Sequence, residues 1–185
     1  MIFVTVGTHE QPFNRLLMEV DKLVTESVIK ERVIMQTGFS TYIPKNCEYY
    51  DFLSLQEMEE YIKEARIIIT HGGPASFIAP LQVKKVPIVV PRQLKFNEHI
   101  NNHQVDFVKL IDEKMHNIIP VYDVSDLKYK ILNYNKISRS DSDEIISNND
   151  KFIEKFDSIV CSLFDKNVRS HSFEKCKGLF RGKKK

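Results

Sequence analysis

The chain has 185 residues, a formal net charge of +2, 42% hydrophobic and 28% charged residues. This composition is typical of one soluble globular domain with or without a tail, and its apolar runs are far shorter than the roughly 20 residues of a membrane span. The charge is uneven, because residues 165–185 hold eight Lys or Arg against two acidic residues. We therefore expect a domain over residues 1–165, a basic tail over residues 166–185, and no nucleic-acid partner. Three widely spaced cysteines and the lack of a leader pattern predict reduced thiols in a cytoplasm.

Strands and helices alternate in the first part of the chain. Residues 2–6, 33–35 and 48–52 are short apolar or β-branched stretches that predict strands, and helices are predicted after the first and third of them. Ser54 and Glu57 have the spacing of a capping box, which marks the start of the second helix.

The same alternation continues to residue 165. A buried strand at residues 67–70 is followed by the turn HGGPAS, a helix, a second strand and a polar segment that ends at residue 104. Residues 117–121 predict an edge strand, and a helix is predicted to begin at Ser125 or Asp126. Residues 138–150 are expected to form a polar linker before a last, C-terminal helix.

This order of elements defines the expected fold class. Parallel strands need helical crossovers, and no hairpin pattern is present, so we predict a Rossmann-like, doubly wound parallel α/β sheet. Such sheets bind ligands at the carboxyl ends of their strands. The loops that contain Gly7-Thr8 and Gly72-Gly73 both leave strands at that edge.

The turn after the central strand has the features of an anion site. Gly72 and Gly73 let backbone N–H groups approach a phosphate, and the helix that follows places its N-terminus there. Ser76 adds a hydroxyl, and Pro80 lacks the N–H that would bond to the Ser76 carbonyl, which predicts a short or bent helix. His71 is either a hydrogen-bonded cap of the sheet edge or a donor to phosphate. An ordinary tight turn remains the alternative.

The segment EHINNHQ is predicted to lie on a helix. His99 and His103 have an i, i+4 spacing that is compatible with zinc, but no third ligand is evident. His103 and Gln104 would share a face with Ile100, either as satisfied core polar groups or as donors to sugar hydroxyls. The acidic pattern at residues 141–143 resembles the metal-binding motif of many sugar transferases, but a solvated helix end is the favoured interpretation.

The C-terminal region has two open interpretations. An apolar stripe on residues 152–164 packs on its own sheet or docks on a partner. The basic tail either contacts an anionic membrane surface or only increases solubility.

Four motifs together resemble a known family: VTVGTHEQPF at 4–13, HGGPAS at 71–76, VPIVVPR at 86–92 and EHINNHQ at 98–104. They look like the C-terminal half of GT-B glycosyltransferases of family 28. The resemblance is to the small bacterial exopolysaccharide and capsule galactosyltransferase subunits, which are similar to the catalytic subunit of the eukaryotic dolichol-linked N-acetylglucosaminyltransferase. It covers residues 1–165.

The resemblance implies a donor site for a UDP-sugar. The expected contacts are Gly7, Thr8, Phe52, Leu53, His71, Gly72, Gly73, Ala75, Ser76, Glu98, His103 and Gln104. The glycine loops and His71 would face the diphosphate, residues 52 and 53 would hold uracil, and the last three would contact sugar or ribose. Related transferases often carry an acidic ribose ligand where this chain has Ala79, and Glu98 is the expected substitute.

The implied reaction is inverting transfer of a hexose, with galactose as the expected sugar. An acceptor hydroxyl attacks the anomeric carbon, and UDP leaves with its charge stabilised by turn amides and a helix end. The UDP-sugar is a substrate, and no cofactor or metal ion is expected. His9 is the candidate catalytic base, unless it only positions phosphate or acceptor and the base belongs to a partner.

A GT-B enzyme has two halves, and this chain resembles one of them. The resemblance therefore implies a membrane-anchored partner subunit that binds a polyprenyl-diphosphate-linked acceptor, with this chain at the cytoplasmic face of the plasma membrane. Two other functions stay open: a non-catalytic nucleotide-sugar-binding or enhancer subunit, and a UDP-sugar epimerase. Epimerases of this fold are normally longer chains with two domains.

Overall fold

The structure is a computed structural model that describes residues 1–142 and 153–160. Residues 1–145 form one compact unit and residues 146–185 a second. In the second unit the described residues 153–160 are helical. The remainder of the predicted last helix, the basic tail and residue 143 of the acidic pattern lie outside the described residues.

Six strands form the sheet of the first unit. They are β1 (Ile2–Thr5), β2 (Val33–Gln36), β3 (Glu48–Tyr50), β4 (Ile67–His71), β5 (Ile88–Val90) and β6 (Ile119–Pro120). Every neighbouring pair is parallel, and the order across the sheet is β3-β2-β1-β4-β5-β6. This is the order of the dinucleotide-binding α/β fold, which reverses direction between β1 and β4. The predicted Rossmann-like, doubly wound parallel sheet is confirmed.

Six helices flank this sheet in the described part of the first unit. They are α1 (Asn14–Thr25), α2 (Leu55–Glu64), α3 (Pro74–Gln82), α4 (His103–Met115), α5 (Leu127–Leu132) and α6 (Tyr134–Ser142). The capping box of Ser54 and Glu57 is confirmed at the start of α2. The linker predicted from residue 138 is wrong at its start, because α6 continues to Ser142. Tyr134 anchors α6 through a buried hydroxyl that donates to the Val86 carbonyl at 2.8 Å.

Side chains that alternate along the strands build a core on each face of the sheet. Val4 packs on one face with residues of α1 and α5, and Phe3 packs on the other face with residues of α2. A further cluster joins β5 to α3 and α4. Burial on both faces explains why β1, β4 and β5 are almost wholly apolar, whereas the edge strand β3 is polar and partly exposed. None of the described helices combines the length and apolar character that a membrane span requires.

Candidate functional site

The ring of His71 fills the space between the loops that follow β1 and β4. A Cβ atom on Gly7 would lie 2.4 Å from Cε1 of His71, and one on Gly73 would lie 2.5 Å from Nε2. Gly7 also has a φ of +76°, in the left-handed region that favours glycine. The two glycine loops therefore meet at this imidazole, and a larger residue at either position would displace it.

His71 is a neutral group in this structure. Burial lowers the pKa of His71 to about 4, and the positive charge of Arg92 acts in the same direction. Its Nε2 lies 3.3 Å from Oγ of Ser76, within the first turn of α3. The ring thus links the end of β4 to the start of α3 as an uncharged hydrogen-bonding group. Its contact with a phosphate stays a prediction.

The N-terminus of α3 has the properties of an anion site. Gly73 is the N-cap without a side-chain hydrogen bond, Pro74 opens the helix, and the first turn holds no acidic residue. Ala75 is exposed beside it. Pro74 carries no N–H, and the N–H of Ser76 donates to the Gly73 carbonyl at 3.1 Å. The other N–H groups of the turn and the helix dipole favour a negative charge at this position. Pro80 lies inside α3 and does not end it, although the helix is only nine residues long.

The side chain of Gln36 holds the loop after β1 in place through hydrogen bonds. Its Oε1 accepts hydrogen bonds from Oγ1 of Thr5 at 2.7 Å and from N of Gly7 at 3.1 Å. Its Nε2 donates to the carbonyls of Gly7 at 3.1 Å and Asp51 at 2.9 Å. Sequence analysis missed Gln36, although a polar residue at the end of a buried apolar strand is a sign of such a role.

Arg92 braces the same loop from the side of β5. It is 1% exposed, and its guanidinium donates to the carbonyls of Val6 at 2.9 Å, Gln11 at 2.6 Å and Glu98 at 3.2 Å. Its guanidinium carbon lies 4.8 Å from the centre of the Phe13 ring. Burial lowers the pKa of Arg92 to about 10, so the group stays charged at neutral pH. Arg92 belongs to the motif VPIVVPR, but its role was not predicted from the sequence.

Glu98 is buried among protein groups, and its predicted contact with the sugar or ribose stays a prediction. Glu98 is 2% exposed, and its carboxylate accepts two hydrogen bonds from Arg15, from Nε at 2.8 Å and Nη2 at 2.9 Å. It also accepts from the backbone N of Gln93 at 3.1 Å. Because protein donors hold the carboxylate, Glu98 orders the segment after β5.

The predicted helix over EHINNHQ begins later than expected. Asn97 has a φ of +57°, and α4 begins only at His103, whose N–H is held by Oδ1 of Asn101 at 3.2 Å. Ile100 is 74% exposed and therefore does not share a core-facing helical face with Gln104. The predicted i, i+4 geometry of a zinc pair does not apply. Among the described residues, no group of three or more His, Cys, Asp or Glu is arranged to hold a metal ion.

Gln104 supports the turn from behind. It is buried, and its Oε1 accepts a hydrogen bond from the backbone N of Arg92 at 3.1 Å. A Cβ atom on Gly72 would lie 3.1 Å from Cβ of Gln104, so the missing side chain lets α4 pack close to the turn. This geometry fits the satisfied core polar group that sequence analysis left as an alternative.

The imidazoles of His9, His99 and His103 contact one another across the loop after β1 and the segment after β5. The rings of His9 and His99 stack with centres 4.6 Å apart, and the ring of His103 meets His99 edge-on at 4.3 Å. Burial, followed by the charges of His103, His9 and Arg92, lowers the pKa of His99. Nε2 of His9 lies 3.0 Å from Oε1 of Gln11. The candidate base therefore has a fixed ring plane.

An aromatic pair marks the edge beyond β2 and β3. The rings of Phe39 and Phe52 meet at 5.2 Å, and each side chain is about half exposed. Leu53 instead packs on the core under α2, as does Ala79. Of the two residues predicted to hold uracil, Phe52 is therefore half exposed and Leu53 packs against the core. Phe39 was missed, although an aromatic residue directly after a loop glycine is a usable sign.

The structure has two surface depressions of note. One of about 490 Å³ lies beside the turn and is lined by Gly72, Pro74, His103, Asp106, Phe107 and Leu110. The larger one, of about 1,040 Å³, lies along α1. Of the predicted donor-site residues, only Glu98 lines the larger depression, with its carboxylate turned to Arg15. Two of the predicted donor-site residues, Gly72 and His103, line the smaller depression.

A comparison with protein-family sequence models identifies the family of this chain. The sequence model described as "Glycosyltransferase family 28 C-terminal domain" matches residues 1–160. The chain belongs to this family, as the motifs predicted.

Two curated relatives carry the name "UDP-N-acetylglucosamine transferase subunit ALG13". The Homo sapiens protein is 31% identical over 125 residues, and the Mus musculus protein is 27% identical over 121 residues. Each alignment covers 62% of this chain and 10% of the relative, so the chain spans about a tenth of their length. Among solved structures, the glycosyltransferase SnogD from Streptomyces nogalater matches 72% of this chain and 43% of its own, with 13% identity and a TM-score of 0.37.

Proposed function

We propose that this chain is the donor-binding catalytic subunit of a two-component glycosyltransferase that uses a UDP-hexose. One observation carries the proposal: a neutral His71 is enclosed by Gly7 and Gly73 beside an uncapped helix N-terminus, in a chain of family 28. This arrangement offers backbone N–H groups and an imidazole, without a carboxylate, to a diphosphate.

The proposed reaction is direct transfer with inversion at the anomeric carbon. The bond from that carbon to the UDP oxygen breaks, and its electron pair leaves with UDP. Backbone amides of the 72–76 turn and the start of α3 stabilise the charge that develops on the diphosphate. The acceptor hydroxyl forms the new bond, and His9 takes its proton.

The finer parts of the proposal concern the substrates and the partner. Galactose is the proposed sugar, and a sugar on a polyprenyl diphosphate is the proposed acceptor, for exopolysaccharide or capsule synthesis. These follow from the motif resemblance, and the word "subunit" in the relatives' names supports a complex. A membrane-anchored partner would supply the acceptor half of a GT-B enzyme and hold this chain at the inner face of the plasma membrane.

A transfer assay tests the proposal. The full chain is co-expressed with a membrane-anchored protein of Rossmann-like pattern encoded beside it. The membranes are supplied with lipid-linked glucose and labelled UDP-galactose, UDP-glucose or UDP-N-acetylglucosamine. The last donor is included because the curated relatives carry its name. We expect transfer from UDP-galactose, and loss of transfer in a His9→Asn variant.

Two outcomes would contradict the proposal. Absence of transfer from all three donors, with UDP still bound, would favour a non-catalytic nucleotide-sugar-binding subunit. Interconversion of UDP-sugars without an acceptor would favour an epimerase.

A further inference from the structure

The side chain of Gln11 lies between His9 and the segment that follows β5. Its Oε1 is 3.0 Å from Nε2 of His9, and its Nε2 donates to the carbonyl of Asn97 at 3.3 Å. A carbonyl oxygen only accepts hydrogen bonds, so the amide NH₂ of Gln11 must face Asn97. Its oxygen is therefore the atom that faces His9.

This orientation decides which nitrogen of His9 carries the proton. Because Oε1 of Gln11 is an acceptor, Nε2 of His9 must be the donor in the neutral ring. The lone pair then lies on Nδ1. Within the described part of the chain, Nδ1 of His9 makes no hydrogen bond, so it is available to a substrate.

Gln11 is itself held on both sides. Its backbone carbonyl accepts from Nη1 of the buried Arg92 at 2.6 Å, and Asn97 is fixed in a left-handed conformation by the turn at Leu94–Phe96. The His99 ring stacks on His9 at 4.6 Å and fixes the plane of the imidazole. The tautomer and the plane of His9 are thus set by separate contacts.

We propose that Gln11 is a positioning residue, which keeps the proton of His9 on Nε2 so that Nδ1 accepts the proton of the attacking acceptor hydroxyl. This inference rests on the proposed function. In the step, the hydroxyl oxygen bonds to the anomeric carbon, its proton moves to Nδ1, and the electron pair of the broken bond leaves with UDP. His9 becomes an imidazolium, which Oε1 of Gln11 stabilises.

Transfer kinetics of the full complex test the role of Gln11. Gln11→Leu is expected to lower kcat about 10- to 100-fold while the donor KM changes less than about twofold, because base catalysis as a whole contributes about 10²–10⁴. In Gln11→Glu the acid limb of the pH–rate profile should move up by about one pH unit, since a carboxylate stabilises the imidazolium. Gln56→Leu, on the exposed face of α2, is the control and should leave kcat unchanged.

A double-mutant cycle separates positioning from a general structural effect. The charged and titratable groups around His9 are His71, His99, His103 and Arg92, and all of them stay unchanged in the cycle. Because Gln11 acts through His9, Gln11→Leu should cause no further loss in a His9→Asn background. An equal loss in both backgrounds, or full activity of His9→Asn, would overturn the proposal.

A second measurement does not need activity. ¹⁵N NMR of the histidine ring nitrogens in the full chain should show His9 with its proton on Nε2, and Gln11→Leu should shift it toward a mixture of tautomers. An unchanged tautomer in that variant would overturn the proposal. If the wild-type complex transfers no sugar, the proposed function fails, and the NMR result alone decides the tautomer.

Discussion

The two walls of the candidate site are built in opposite ways. The wall formed by the β1–α1 loop and the segment after β5 is held by charged side chains, with Arg92 on three carbonyls and Arg15 on Glu98. The turn after β4 is formed by small residues and a neutral His71, and its helix start is uncapped.

This difference predicts which substitutions act on stability and which act on ligand binding. The guanidinium of Arg92 and the carboxylate of Glu98 are buried and hydrogen-bonded within the protein, so the removal of either leaves unpaired partners. Backbone N–H groups at an uncapped helix start still need an acceptor. We therefore expect substitutions of Arg15, Arg92 or Glu98 to lower stability, and substitutions at the turn to act on ligand affinity or to show strong coupling to His71.

The largest expected effect is on the free energy of unfolding, at the pair formed by Arg15 and Glu98. Glu98→Ala should lower the free energy of unfolding by about 3–5 kcal/mol, because the partly buried guanidinium of Arg15 loses its partner. Urea unfolding followed by circular dichroism measures this change. The matched control is Glu48→Ala, which removes the partner of Arg32 in an exposed pair with similar geometry. It should change stability very little, since exposed pairs contribute little. Equal losses of unfolding free energy in Glu98→Ala and Glu48→Ala would show that the Arg15–Glu98 pair contributes no more than an exposed ion pair.

The second expected effect is a dependence of stability on pH, which arises from His71 in the turn after β4. The pKa of His71 is about 4 in the folded chain against a usual value of 6.5. As pH falls below 6.5, the unfolded chain binds this proton first, so the stability present above pH 6.5 is lost progressively toward pH 4. The loss from His71 amounts to about 3 kcal/mol. His71→Asn should remove this part of the pH dependence, measured as unfolding free energy at pH 7, 5.5 and 4.5.

The control for this measurement is His116→Asn. His116 is exposed at the C-terminus of α4 with a φ of +47°, a conformation that asparagine tolerates. The variant should keep the wild-type slope of stability against pH. A wild-type slope in His71→Asn would show that His71 titrates as an exposed histidine.

A smaller effect tests the close packing within the turn. Gly73→Ala should cost about 1–3 kcal/mol, because the new methyl group lies 2.5 Å from Nε2 of His71. The cost should fall in a His71→Ala background, since the obstructing ring is gone. Gly72→Ala meets Gln104 instead, and its cost should be the same in both backgrounds. Thermal unfolding of the four glycine variants measures the coupling, and equal coupling for both glycines would contradict the geometry.

The smallest effect on stability is expected at the aromatic pair. Phe39→Ala and Phe52→Ala should each change the unfolding free energy by less than about 1 kcal/mol, because both rings are half exposed. If the pair holds uracil, each variant should weaken UDP binding about 2- to 10-fold by calorimetry. Tyr129→Ala, at an exposed position of α5, is the control. Unchanged UDP affinity in both phenylalanine variants would place the base elsewhere.

Sequence patterns predicted the fold well because the sheet is buried on both faces. Runs such as residues 67–70 have few alternatives to a central parallel strand, and the capping box at Ser54 fixes a helix start locally. The placement of the glycine loops at one edge followed from topology alone.

The details of the site depended on contacts between residues far apart in sequence. The pairing of Glu98 with Arg15, 83 residues away, leaves no trace in the spacing of the sequence and was not predicted. The same holds for Gln36 and Arg92, whose partners are backbone carbonyls of other segments. The helix start at His103 was missed because Asn97 adopts a left-handed conformation that the sequence did not indicate.

The position of Arg92 in the chain has a consequence for biosynthesis. The carbonyls that it binds belong to Val6 and Gln11, which a ribosome makes more than 80 residues earlier. During synthesis the strand β1 is complete long before this side chain emerges, and the loop that follows it has no brace from β5 in that interval. We therefore expect the loop after β1 to become fixed only after β5 has joined the sheet. A nascent chain stalled before residue 92 should contain early strands with an unformed loop, and chaperones would meet the protein in this state.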